Sequence, residues 1–184
     1  EAPDLIFLHL LEPHMRGEDF TDSVVEALKV LGAQRYSLVG GMYDMVPHTR
    51  PLLVSSSPGQ DEDDEESRLV KATPSTYQGP TSITSLIPQE VASMGVQTRT
   101  FIVHLPQYFQ VDEDFTGTAR LMEILCAIYH LPNRLRDLER GRQQYASLQN
   151  MIKDASETSS LLKRLEERYD RNQREGGDEQ PPPL

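Results

Sequence analysis

Hydrophobic and polar positions along the chain alternate between two periods. Leu5 to Leu11 is an almost unbroken apolar run between Pro3 and Pro13, which predicts a strand covered on both faces. From Phe20 to Leu31 the apolar residues Val24, Val25, Leu28 and Leu31 fall at helical spacing, and Gly32 is a stop. Arg35 to Val39 predicts a second strand, ended by Gly40 and Gly41. Strand, helix and strand on short links make a right-handed βαβ unit. Leu52 to Ser56 can add a further strand. Thr81 to Met94 predicts a helix with Gly95 as its stop, Thr98 to Leu105 a third main strand closed by Pro106, and Thr116 to His130 a helix ended by Pro132.

The pattern fails between Pro58 and Pro80. That stretch holds six consecutive acids, Asp61 to Glu66, whose mutual repulsion predicts a solvated loop tip. Consecutive carboxylates lack the spacing of a calcium loop. Beyond Asn133 the character changes again. Leu138, Tyr145, Leu148 and Ile152, then Leu162, Leu165 and Tyr169, form a narrow stripe on highly charged helix. This predicts a helical hairpin or coiled coil, broken near Asp154 to Ser160, with Asp154 or Ser156 as a cap. Gly176 to Leu184 reads as a disordered tail. The expected division is an α/β/α domain over 1–131, a helical arm over 132–174 and a tail over 175–184. The fold class is α/β, a three-layer sandwich with a mainly parallel sheet plus the C-terminal helical hairpin.

Composition narrows the function classes. Among 184 residues, 37% are hydrophobic and 26% charged, for a net charge of −11. An acidic chain repels phosphate backbones and anionic lipid surfaces, and its basic residues form no segregated stripe. Neither nucleic acid nor membrane is therefore an expected partner. No apolar stretch reaches the roughly 20 residues a bilayer requires. Cys126 is the single cysteine, which excludes an internal disulfide and a cysteine-rich metal site; on a helical apolar stripe it reads as core. A reducing, cytoplasmic setting is expected. The chain opens on Glu1 and almost at once on a buried-type strand, which suggests a piece lacking an N-terminal part.

Candidate chemistry gathers after the strands. Strand one leads to Glu12 and His14, strand two to His48, Thr49 and Arg50, and strand three to Tyr108. In an open parallel sheet such exits share one edge, where ligands bind. If the three exits emerge side by side, these residues combine acid–base, hydroxyl and anion-binding capacity. Arg50 can instead tie loops together by pairing with Glu12 or Asp44. Tyr77, in a Gly-Pro-bounded segment before the next helix, can serve as a lid. His9 and His104 lie inside predicted strands and read as packing residues. No G-x-S-x-G elbow, phosphate loop or H-E-x-x-H motif is present, Ser55 to Ser57 lack an elbow context, and the histidines show no metal-ligand spacing. No catalytic residue, cofactor or metal is assigned.

Four strings carry a resemblance: Glu12-Pro-His14, Gly40-Gly41 leading to V-P-H-T-R-P at Val46 to Pro51, Tyr77-Gln-Gly-Pro-Thr81, and Pro106-Gln-Tyr108. In order and spacing they resemble the proteasome assembly chaperone family of the second-subunit type, in its bacterial branch. The likeness runs over about residues 4 to 170, without the family's first strands and helices. It implies a phosphorylase/hydrolase-like α/β/α sandwich, an added helical region and an oligomer. Gln107 stands where the family commonly has histidine. The family has also been labelled carboxylate–amine ligase-like, and no phosphate loop here supports that. The resulting expectation is a non-enzymatic protein-interaction or assembly factor, a homo-oligomer with a possible partner on the helical arm. The alternative is an anion- or small-molecule-binding enzyme, hydrolase/phosphorylase-like or ligase-like, at the strand-exit loops.

Overall fold

A computed structural model describes residues 4–11, 13–57, 65–75, 83–132, 137–153 and 156–175. Among them are six helices and one open four-stranded sheet, a mixed α/β architecture. Contacts divide the chain into two units, 1–38 with 76–99, and 39–75 with 100–184.

In the first unit, α1 (Gly17–Val30) packs against α3 (Ile83–Ser93). Val24, Val25 and Leu28 meet Ile83, Ile87 and Val91 in one buried cluster. Each row is the inward stripe of an amphipathic helix, and each fully buried aliphatic side chain contributes about 1.5–3 kcal/mol. Both glycine stops work as expected: Gly32 and Gly95 adopt φ +64° and +81°, the left-handed region that ends a helix without a Cβ clash.

The strand expected over Leu5 to Leu11 does not form. Leu10 touches the α1–α3 cluster, but Leu5, Ile6, Leu8 and Leu11 are exposed and Phe7 is 74% exposed. A doubly covered strand needs a neighbour for its N–H and C=O groups, and no described strand pairs with this segment. Apolar composition alone does not order it.

The sheet runs β1-β4-β2-β3. β1 spans Arg35–Asp44, β2 Val54–Ser56, β3 Thr73–Pro74 and β4 Gln97–Pro106. At the start of β4, Gln97 N–H donates to the Gln34 carbonyl; just past its end, Gln107 N–H donates to that of Asp44. β1 and β4 are therefore parallel. β2 is antiparallel to β4, placing Val54 opposite Val103, and parallel to β3. β1 does not stop at Gly40 and Gly41 but continues through them to Asp44. The glycines permit close approach instead: a Cβ on Gly41 would lie 3.1 Å from Leu105 Cδ1.

The second unit is built on Leu52, Val54, Phe101, Val103, Ile124, Ile128 and Tyr145. α4 (Phe115–Tyr129) starts at Asp114, whose side chain accepts from Gly117 N–H, and ends at His130 in the left-handed region. α5 (Asp137–Lys153) packs along α4. Its buried seam is Gly141, Tyr145, Leu148 and Ile152; of the stripe read from the sequence, Leu138 is only partly buried, and a glycine is added. α6 (Ser156–Glu175) follows and buries Leu165. Cys126 is buried, as expected of core. The acidic run divides: 61–64 lie outside the described residues, whereas Glu65 and Glu66 open the short helix α2 (Glu65–Leu69) rather than a loop tip, where carboxylates suit a helix N-terminus. Of the expected tail, Glu175 ends α6 and the remainder lies outside the described residues.

Candidate functional site

Two of the three expected strand exits do adjoin. After Asp44 the chain turns, with Val46 N–H donating back to the Asp44 carbonyl at 2.9 Å, and Gln107 N–H reaches that same oxygen at 2.9 Å. The β1 exit loop, residues 45–51, therefore lies against the start of the segment that carries Tyr108.

His48 sits in this loop with 6% exposure. Its N–H donates to the Tyr108 hydroxyl at 2.8 Å, and that hydroxyl also lies 2.8 Å from His48 Nδ1. Having accepted from the amide, the hydroxyl has its own hydrogen left for Nδ1. The Nε2 atom is buried and has no hydrogen-bond partner among the described residues. The ring meets Tyr108 and Tyr145 edge-on, at 5.9 and 6.0 Å between centroids. Burial depresses the His48 pKa below its usual 6.5, only partly opposed by the charge of Glu166. Burial likewise raises the hydroxyl pKa of Tyr108 and, with the charge of Asp114, that of Tyr145.

The next two residues are held by α6. Thr49 Oγ1 donates to Glu166 Oε1 at 2.5 Å. The Arg50 guanidinium takes both carboxylate oxygens of Asp170, Nε to Oδ1 and Nη2 to Oδ2 at 2.8 Å each, and reaches Glu166 Oε1 at 3.4 Å. Such a fork is geometrically specific. It stabilises the cation of Arg50 and holds the Asp170 pKa below the usual carboxylate range. Tyr169 Oη donates to the Pro51 carbonyl at 3.0 Å, and Arg168 donates to the Met45 carbonyl. Loop 45–51 is thus pinned by four residues of α6, Glu166, Arg168, Tyr169 and Asp170, all within about one helical turn.

His48, Thr49, Arg50 and Tyr108 therefore come together. His14 is exposed and belongs to the first unit. Glu12 and Tyr77 lie outside the described residues. Arg50 does not pair with Asp44, as one reading of the sequence expected: it pairs with Asp170 and Glu166, and Asp44 bonds His104. Sequence reasoning missed Glu166 and Asp170, which read as the charged face of a coiled coil. Their spacing of four did place both carboxylates on one helix face.

A second polar row was also missed. Asp44 Oδ2 lies 2.8 Å from His104 Nδ1, and His104 Nε2 lies 3.0 Å from Ser55 Oγ. His104 is a bridging residue, not a packing one. A cavity of about 390 Å³ lies elsewhere in the second unit, lined by Gly41, Leu105, Asp112, Glu113, Phe115 and Arg140 among others, and by neither His48 nor Arg50. Among the described residues no cluster of three His, Cys, Asp or Glu side chains is placed to hold a metal, and no helix is long and apolar enough to cross a membrane.

The His48 environment has a pH consequence. Its folded pKa is depressed, so between that value and about 6.5 the unfolded chain binds the proton more readily. Stability is then fully present above about pH 6.5 and falls as pH drops through the folded pKa. Asp44 and Asp170, also depressed, contribute stability that is fully present above about pH 4 and is lost only as pH falls below it. The expected result is a melting temperature that falls from pH 7 to pH 5, with a shallower slope in His48→Gln. Equal slopes in melts of the two proteins would contradict it.

No curated protein matches the chain. Among solved structures, it is similar to a protein of unknown function from Corynebacterium glutamicum, at 23% identity and a TM-score of 0.76, over 89% of this chain and 60% of that one. It is also similar to a Mycobacterium tuberculosis proteasome-assembly chaperone homologue, at 22% identity and TM-score 0.70, over 83% of this chain and 64% of that one. An archaeal homolog of proteasome-assembly chaperone from Pyrococcus furiosus gives 17% identity and TM-score 0.57, over 80% and 65%. The chain thus spans about three-fifths of the length of these structures, and at these identities they establish the shared fold. The PAC2 family model matches residues 1–168, and the chain belongs to the PAC2 family.

Proposed function

We propose that this chain is a protein-interaction or assembly factor, working as a homo-oligomer in the cytoplasm, and that its His48–Arg50 cluster is a structural knot without enzymatic work. The observation that supports this most is the engagement of Arg50. Its guanidinium, at 32% exposure, faces two carboxylates of α6 in place of an anion. A group so neutralised is poorly suited to capture phosphate or carboxylate from solution. The likeness to structures described as proteasome-assembly chaperone homologues supports the same reading. The helical arm supplies the surface: while α6 faces loop 45–51 with Glu166, Tyr169 and Asp170, its Lys163, Arg164, Glu167 and Arg171 are exposed.

Light scattering on the purified chain, with cross-linking of cell extract, tests this. A stable oligomer or a defined cross-linked partner is expected, and a strict monomer with no partner overturns the reading. The alternative, an anion-binding enzyme at the same loops, predicts a thermal shift with phosphates, nucleotides or amino acids that Arg50→Ala abolishes. The interaction reading expects no such shift.

A further inference from the structure

Asp44, His104 and Ser55 lie outside the knot, and their hydrogen bonds have a direction. Asp44 Oδ1 accepts from Met45 N–H at 2.6 Å and Oδ2 from the His104 ring. A carboxylate can only accept, so His104 Nδ1 carries a proton, and in the neutral imidazole Nε2 then presents its lone pair. Ser55 Oγ, 3.0 Å away, then donates to Nε2. This is the polarity a hydroxyl nucleophile needs: a base within reach, itself oriented by an acid on its far nitrogen. Burial pushes the Asp44 pKa up, but the His104 bond, the Met45 N–H and the electrostatic attraction of His104 and then Arg168 together bring it below the usual range, which keeps the acceptor ionised.

The three residues stand on different strands, Asp44 at the end of β1, His104 on β4 and Ser55 on β2. Ser55 is fixed between two ladders, opposite Ile102 on β4 and Thr73 on β3. Rigid placement of this kind favours a defined attack geometry over an adaptable one. Access is narrow. The His104 side chain is 17% exposed and Ser55 is 7% exposed, and neither lines the cavity beside Gly41 and Arg140, so a small reagent is the suitable probe. Sequence reasoning passed over Ser55 because no elbow motif surrounds it, yet such constellations are recognised by geometry and not by position in the chain.

We propose that Ser55 is an activated nucleophile that accepts an acyl group from a short-chain ester, with His104 as its general base and Asp44 as a positioning residue. In the first step a bond forms between Ser55 Oγ and the ester carbonyl carbon, while the hydroxyl proton moves to His104 Nε2. The ester C–O bond then breaks, and the alcohol leaves with that proton. Water next attacks the acyl-serine, gives a proton to Nε2 and takes the place of the alcohol. The carboxylic acid departs as that proton returns to Ser55 Oγ. No oxidant, reductant or metal enters the balance. The activity goes beyond the interaction role, and neither depends on the other.

The test treats the folded full chain with a small alkyl fluorophosphonate and maps the adduct by mass spectrometry. One adduct on Ser55 is expected, absent from urea-unfolded protein and from Ser55→Ala. His104→Gln should slow labelling on the order of 10²- to 10⁴-fold. Asp44→Asn should lower kcat for p-nitrophenyl acetate by about 100-fold with KM unchanged, a split that a purely structural role would not produce. Because the wild-type adduct is read first, misfolding of a variant cannot rescue the proposal. No Ser55 adduct on folded wild type, equal labelling after unfolding, or ester hydrolysis undiminished in folded Ser55→Ala would each overturn it.

Discussion

Asp114→Ala is expected to lower the free energy of unfolding by about 2–4 kcal/mol, since two losses coincide. Asp114 Oδ1 accepts from Gly117 N–H at 2.7 Å, capping α4, and Oδ2 accepts from the Tyr145 hydroxyl at 2.8 Å. Losing a side-chain cap costs about 0.5–2 kcal/mol. Leaving a buried hydroxyl without its acceptor costs a further 1–3 kcal/mol or so, and Tyr145 is buried in the second-unit core. The second loss identifies the mechanism. In Tyr145→Phe the hydroxyl is gone, so adding Asp114→Ala should then cost roughly the cap alone, about 1 kcal/mol. Urea unfolding of the four proteins measures this. Strict additivity, or a single-mutant cost below about 0.5 kcal/mol, would mean that Asp114 does not clasp α5 to α4.

Gly141→Ala is expected to destabilise by about 1–3 kcal/mol, against the usual trend for a helix. In an open helix the change gains nearly 1 kcal/mol or so from propensity. At Gly141 a Cβ would stand 2.6 Å from Thr116 Oγ1, 2.8 Å from Thr116 N and 2.9 Å from its Cα. Backbone atoms cannot rotate aside, so α4 and α5 must part along the seam that Tyr145, Leu148 and Ile152 fill. The strain exceeds the propensity gain. Gly17 is the matched control, also helical but with nothing within 4 Å of a built Cβ; Gly17→Ala should be neutral or stabilising. A stabilised Gly141→Ala in the same melting series would contradict the close approach.

What the sequence made legible was local. The stops at Gly32 and Gly95, the stripe of α1 and the heptad-like seam from Tyr145 to Ile152 all follow from chain-neighbour periodicity, and they stand in the structure. The convergence of His48 to Arg50 with Tyr108 was also readable, since parallel strands send their exits to one edge. Non-local partnership was not. Arg50 finds its carboxylates 116 and 120 residues away, and nothing in the spacing of a charged helix says which loop it faces. The Asp44–His104–Ser55 row escaped for a similar reason: it joins three strands, two of them antiparallel, and only strand register aligns the side chains. Leu5 to Leu11 failed in the opposite sense. Its composition suits a strand, but a strand is a property of a pair.

The α6 helix holds the β1 exit loop through Arg50. Native-state hydrogen exchange on wild type and Asp170→Ala tests it most directly. If the latch holds, the variant loses protection together in residues 45–51 and in the α6 turn around Glu166 to Asp170, while the amides of Phe101 to Val103 in β4 keep theirs. Faster exchange confined to α6, with loop 45–51 as protected as in wild type, would contradict the claim.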